Sequence, residues 1–404
     1  MSKATTVNDN DITLLQLKNE LKERWDLPYS VFVMGPAGVG KSAIFKQTVA
    51  EIATGNPHAK WRYLNGCQVV GGETGKGEKR ELETSFGFID LRLSQMEPQD
   101  LAGIPMPENG VTKRFLPAEI PVVTAANLPD KGLLFLDEAN QADLTVQKAM
   151  FSLILDRKVA DVPLKPGWRV MAAGNRLEDS CAVSEMPAPL QNRFAHYSVR
   201  ADFACWKDWA ITTELHPSVF TFLQDNMTYF CKPHGDSGEY AFPTPRTWEQ
   251  CGITVAYWES RKIEKSHAEK VRAIASLVGR AAAELYVSFL ELSQKIDIEG
   301  MISGKIKRKF APKEIAEAWQ CVAALYSYIL RNKSAETVKR VLIFLANSGT
   351  FSELSEFLAM FQHDLNLYDR KLVLDAFGLM SEEETEKYYK WLETFCKKGY
   401  LMQD

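Results

Sequence analysis

The octapeptide Gly35-Pro36-Ala37-Gly38-Val39-Gly40-Lys41-Ser42 constrains this chain more than any other stretch. It fits G-x-x-x-x-G-K-[ST] and follows a β-rich run, SVFVM at 30–34. After it comes a helical stretch, KSAIFKQTVAEIA, that Gly55 stops. Strand, glycine loop and helix in that order gather backbone N–H groups and a helix N-terminus round an anion. Lys41 then reaches the β and γ phosphates of a nucleotide, and Ser42 offers its hydroxyl to Mg2+. A chance glycine-rich turn is the alternative, and the flanking strand and helix favour phosphate.

A second glycine-lysine stretch, VVGGETGKGEKR at 69–80, fails the same test. GGETGK is one residue too short, Gly77 stands where a magnesium-binding hydroxyl is required, and Glu73, Glu78 and Glu81 repel phosphate. Its density of Gly, Lys and Glu reads as a solvated loop. Residues 56–85 are therefore expected to be an insertion, either a plain surface excursion or a loop that reaches a client.

The carboxylates come later, where Leu133-Leu134-Phe135-Leu136 reads as a buried strand ending in Asp137-Glu138. Acids at the carboxyl end of such a strand lie in the crevice where ligands bind. Asp137 is expected to hold the metal's water shell, and Glu138 to polarise an attacking water. An N-cap pair on the next helix is the plainer reading. Asn175, closing MAAGN, is suited to orienting that water, or to capping a turn. Arg193, in APLQNRF, is suited to stabilising γ-phosphate charge from an adjacent subunit, or to a surface salt bridge. Arg176 competes with Arg193 for that role.

Further strands are expected at FGFIDLRL (86–93) and GWRVMAAG (167–174), with a helix at TVQKAMFSLIL (145–155) and a leading helix within 11–24. Alternating strands and helices argue for a three-layer α/β domain with a largely parallel sheet. Beyond about residue 255 the pattern is helical. Val271, Ile274, Val278, Ala282, Leu285, Phe289 and Leu292 recur every three or four residues, as do Ile315, Trp319, Val322, Tyr326 and Ile329 after a Pro312 suited to a first turn. Ser381 with Glu384 forms a capping-box pattern before a last helix. The aromatic stripes read as core.

At 404 residues, 46% hydrophobic and 25% charged, the composition is that of a globular protein, and a net charge of -4 exerts no overall pull toward nucleic acid or anionic membrane. Seven scattered cysteines without a CxxC pair suggest neither a disulfide framework nor a zinc cluster, and fit a reducing, cytoplasmic setting. The first residues lack the build of a signal peptide, and no apolar run approaches the ~20 residues that span a bilayer. One basic cluster stands out: GKIKRKFAPK at 304–313, a solvated linker or a track for a phosphate backbone.

The set Lys41, Asp137-Glu138, Asn175 and Arg193 resembles the AAA+ ATPases, and more narrowly the MoxR-like, dynein-related branch. RLSQMEPQDLAGIP, FLDEANQAD, the hairpin candidate KVADVPLKPGW and MPAPLQNRF carry the narrower likeness. The resemblance implies an α/β P-loop core over residues 1–199, a small helical lid over 200–260 and an additional all-α region over 261–404. It also implies ATP with Mg2+, a ring of six identical subunits, and Arg246 in FPTPRTW contacting the γ phosphate from the lid. Similar proteins remodel or chaperone partner proteins, often beside one with a von Willebrand factor A-type domain, and several are encoded by phages or mobile elements. A motor on nucleic acid and a nucleotide-gated assembly scaffold are the alternatives.

Overall fold

The computed structural model describes residues 11–75, 77–176, 186–232, 240–352 and 354–396. The chain divides into two compact units, Met1–Asp202 and Phe203–Asp404. The first runs β1 (Asp11–Ile12), α1 (Leu14–Glu23), β2 (Ser30–Met34), α2 (Lys41–Thr54), β3 (Arg62–Leu64), β4 (Cys67–Gly71), α3 (Glu78–Thr84), β5 (Ser85–Arg92), α4 (Pro98–Ala102), β6 (Ile104–Glu108), β7 (Val111–Phe115), β8 (Lys131–Asp137), α5 (Leu144–Leu155), β9 (Lys158–Val159), β10 (Val162–Pro163), β11 (Gly167–Gly174), α6 (Ala188–Gln191) and β12 (Phe194–Val199).

Eight strands form one sheet in the order β1-β12-β2-β11-β8-β5-β4-β3. The first six run parallel, β4 is antiparallel to β5, and β3 is antiparallel to β4. Period-two alternation sorts their side chains between two cores. Phe32, Leu134, Leu136, Val170 and Ala172 face one, with α4 and α5. Val31, Val33, Leu133, Phe135, Met171 and Ala173 face the other, with α1 and α2. Strands apolar on both faces are what a covered parallel sheet requires, and they fix three layers. Phe135 packs its ring 4.6 Å from that of Phe45 on α2. Truncating such a buried Phe costs about 3–5 kcal/mol.

Residues 56–85 are not a solvated loop. They hold β3, β4 and α3, which widen the sheet. Asn65 (φ 50°) and Gly66 (φ 82°) are the whole connection between β3 and β4, a two-residue turn with both φ positive. Val69 and Val70 are buried. Arg62 pairs with Glu81 at 2.6 Å and donates to the Gly71 carbonyl at 2.7 Å, clamping hairpin to helix. The glycines of the second stretch turn the chain from β4 into α3. At Gly72 (φ +84°) an added Cβ would meet the buried Ser85 Oγ at 2.2 Å. Gly72→Ala is therefore expected to destabilise the first unit by about 1–3 kcal/mol, read as a lower midpoint in urea. Gly71 pairs with Ser85 at the amino end of β5, so this stretch lies at the opposite end of the sheet from the acids that end β8.

A second hairpin, β6 with β7, was not expected. Asn109 (φ 52°) and Gly110 (φ 80°) make its turn, and both strands are largely exposed. The short β9–β10 hairpin lies within KVADVPLKPGW. Asp11 and Ile12 belong to a strand rather than to the leading helix, which Thr13 caps.

The second unit is helical: α7 (Phe203–Thr212), α8 (Pro217–Asp225), α9 (Pro245–Ser260), α10 (His267–Val278), α11 (Arg280–Gln294), α12 (Ile298–Ile302), α13 (Ile315–Asn332), α14 (Ala335–Ser348), α15 (Ser355–Gly378) and α16 (Glu382–Cys396). The periodicity through 271–292 is broken at Gly279, which separates α10 from α11 and leaves Leu285 and Leu292 exposed. Pro312 precedes the first turn of α13 rather than occupying it. Ser381 and Glu384 exchange the two hydrogen bonds of a capping box. Trp248, Tyr286 and Phe222 pack ring to ring in the core. Among the described residues no helix is long and apolar enough to cross a membrane.

Candidate functional site

The site forms where β2, β8 and β11 end side by side. β2 leads into the glycine loop, where Gly38 (φ 73°) and Gly40 (φ 108°) adopt backbone conformations that side chains disfavour. Lys41 opens α2 and is buried. Its Nζ donates to the Gly35 carbonyl at 2.7 Å, the Pro36 carbonyl at 2.9 Å and Asn175 Oδ1 at 3.0 Å. Ser42 Oγ donates to Asp137 Oδ2 at 2.8 Å. The loop, the acid strand and Asn175 thus meet around two side chains that are adjacent in the chain. β11 lies between the loop strand and the acid strand, which is why Asn175 reaches Lys41.

Asp137 Oδ1 accepts from the Glu138 backbone N–H at 2.9 Å. Glu138 takes a left-handed conformation (φ 56°) that turns it out of the strand direction. The Ser94 hydroxyl, just beyond β5, donates to its carboxylate. Asn140, buried, donates to the Asn175 carbonyl at 2.7 Å and accepts from the Asn175 N–H at 3.2 Å, fixing that backbone. Sequence reasoning missed Ser94 and Asn140: each is a lone polar residue whose meaning depends on a neighbour distant in the chain. Asp90 on β5 adds a third acid. It retains solvent access, yet its carboxyl is pushed up to about 6, first by desolvation and then by the Asp137 charge, against Arg92 and Lys46.

The two arginines differ sharply. Arg176 donates to Asp11 Oδ2 at 2.9 Å and to the Val199 carbonyl at 2.5 Å, in a largely buried ion pair. Arg193 is exposed, and among the described residues no carboxylate pairs with it. It stands at the amino end of β12, whose residues Phe194 to Ser198 pair with Ser30 to Met34 of β2. A strand of that length puts it roughly 16 Å from the end of β2 that carries the loop. Arg246 is exposed in the first turn of α9, in the second unit.

Chemically, the loop offers N–H donors and a cation to a chain of phosphates. A hydroxyl and a carboxylate 2.8 Å apart suit an oxygen-ligated divalent cation such as Mg2+. A second carboxylate stands beside them.

No family model and no curated protein matches this chain. Among solved structures it is similar to NtrX from Brucella abortus, at 15% identity over 90% of this chain and 70% of that one, with a TM-score of 0.35. NtrX in complex with ATP matches at 14% identity, over 90% and 70%, with a TM-score of 0.33. A RuvB mutant from Thermotoga maritima matches at 14% identity, over 80% and 76%, with a TM-score of 0.27. Scores this low add nothing to what sheet order and loop geometry establish. Fold and site define the class: an α/β P-loop core followed by an all-α region.

Proposed function

We propose that this chain is a ring-forming ATPase of the AAA+ kind, MoxR-like, that couples ATP hydrolysis to the remodelling of a partner protein. The observation that supports hydrolysis is the convergence of Lys41, Ser42, Asp137, Glu138 and Asn175 at one end of the sheet. Backbone N–H groups from Ala37 to Lys41 cradle the phosphates, and Lys41 exchanges its carbonyl partners for β and γ oxygens. Ser42 and the Asp137 carboxylate would hold Mg2+, which would supply charge neutralisation to the phosphates. Glu138 accepts the proton of the attacking water, which Asn175 orients, as the bond from the γ phosphorus to its bridging oxygen breaks.

The position of Arg193 supports a ring. At the far end of the sheet it cannot reach its own loop, whereas a neighbouring copy's γ phosphate is open to it. Arg176, held by Asp11, is the weaker candidate. The resemblance gives Arg246 a role toward the γ phosphate, in a homo-hexamer whose partner carries a von Willebrand factor A-type domain.

Mixing two inactive chains tests both points. Arg193→Ala is expected to keep ATP binding and to lose about 10³-fold or more in turnover, since the guanidinium acts on transition-state charge. Mixed with Glu138→Gln chains, it should regain measurable phosphate release, because some interfaces then join an intact base to an intact arginine. Failure to recover in verified mixed assemblies would place the arginine's action within one chain.

A further inference from the structure

The basic cluster at 304–313 has no part in the site above, and in the second unit it becomes one wall of a groove. The loop after α12 forms that wall and α14 the other, enclosing about 700 Å3. Apolar side chains line it: Ile306, 43% exposed, with Ile343 and the buried Phe344 of α14. The loop is held at two points. Ile306 N–H donates to the Gly300 carbonyl and Phe310 N–H to the Thr350 carbonyl, each at 2.9 Å. Phe310 is buried with its ring 5.2 Å from that of Phe351, and the Arg308 guanidinium lies 4.7 Å over the Phe310 ring.

The cations on the two walls are not equivalent. On α14, Lys339 is 3.4 Å from Glu384 and Arg340 is paired with Glu299. On the loop, Lys305, Lys307 and Arg308 are exposed, and among the described residues no carboxylate pairs with them. Three like charges within four residues set up a local positive potential that favours an acidic partner, Glu299 offsetting it only beside Lys305.

The rest of the groove says what kind of anion. A nucleic-acid strand needs a continuous cationic track and exposed aromatic faces for its bases. Here Glu336 and Glu384 line the same groove, and neither nearby ring offers a free face: Phe344, in the lining, is buried, and Phe310 is buried beneath Arg308. We infer that this groove docks an acidic, amphipathic segment of a partner protein, whose aliphatic side chains sit on Ile306 and Ile343 while its carboxylates pair with Lys305, Lys307 and Arg308. The inference goes beyond the ATPase reading and does not depend on it, because docking here requires no nucleotide.

The test is fluorescence anisotropy on the full chain without nucleotide, using a labelled peptide of about twelve residues built from Leu and Glu, its Leu and Gln counterpart, and an oligothymidylate. The Glu peptide should bind, weakening tenfold or more in the Lys307→Glu, Arg308→Glu double variant and again as salt rises from about 50 to 300 mM. Ile306→Ser should weaken it severalfold. Far-UV circular dichroism and basal ATPase should match the parent, since Ile306 and Lys307 are exposed and Arg308, also exposed, only overlies one face of the Phe310 ring. No binding of the Glu peptide, equal binding of the Gln peptide, or indifference to charge reversal would overturn the inference. Tighter binding of oligothymidylate, lost on charge reversal, would reassign the groove to nucleic acid.

Discussion

A Glu138→Gln chain is expected to hold ATP as tightly as its parent and to turn it over about 10²–10⁴ times more slowly. The amide has the size and shape of the carboxylate, and its oxygen can still accept from the Ser94 hydroxyl that holds the native side chain. Nothing in the left-handed backbone at this position (φ 56°) distinguishes Gln from Glu. Asp137 keeps its hydrogen bond from Ser42, so the side chains suited to the metal are undisturbed. What disappears, on the proposed mechanism, is the proton acceptor for the attacking water. Binding should therefore be unchanged in a titration with a fluorescent nucleotide, and the defect should appear in single-turnover phosphate release. A variant that hydrolyses at the parental rate would place the general base elsewhere. Loss of ATP binding would mean that Glu138 serves the ground state rather than the reaction.

Residues that form the site from nearby stretches were legible, because motif and surroundings carried the same message. The loop follows a strand apolar on both faces, and Asp137 ends another. What could not be read was lateral order. Nothing in the sequence says that β11 enters between β2 and β8, yet this order brings Asn175 to Lys41. Nor does it say that β12 pairs with β2 on its other side, in the parallel sense that leaves the preceding Arg193 at the end of the sheet opposite the loop. Ser94 and Asn140 were illegible for the same reason, since each acts through a hydrogen bond to a distant strand. The two hairpins are a different case. Asn65-Gly66 and Asn109-Gly110 are strong two-residue turn signals, and sequence reasoning missed both. The stretch at 69–80 misled because it straddles the end of β4 and the start of α3. Its glycines serve the turn between them, and its charges Glu78, Lys79 and Arg80 are exposed on α3.

Lys41 carries the other large effect. Its ammonium is buried among the Gly35 and Pro36 carbonyls and Asn175 Oδ1, at 2.7 to 3.0 Å. Those oxygens matter to what Lys41→Ala would do. The variant loses the cation that meets the β and γ phosphates, a charge-assisted contact worth about 1.5–3 kcal/mol for each hydrogen bond. It also leaves acceptors facing the space a polyanion is to occupy, with no positive charge between them. With two such bonds lost, ATP affinity should fall by about 10²–10⁴-fold. Lys41→Met separates charge from packing, because it keeps the aliphatic stem against the loop while removing the ammonium. Both variants should lose affinity alike in calorimetric titration. If only Lys41→Ala lost it, the stem's packing rather than its charge would hold the loop in shape. If neither did, the octapeptide would be a glycine-rich turn and the phosphate cradle would have to be sought elsewhere.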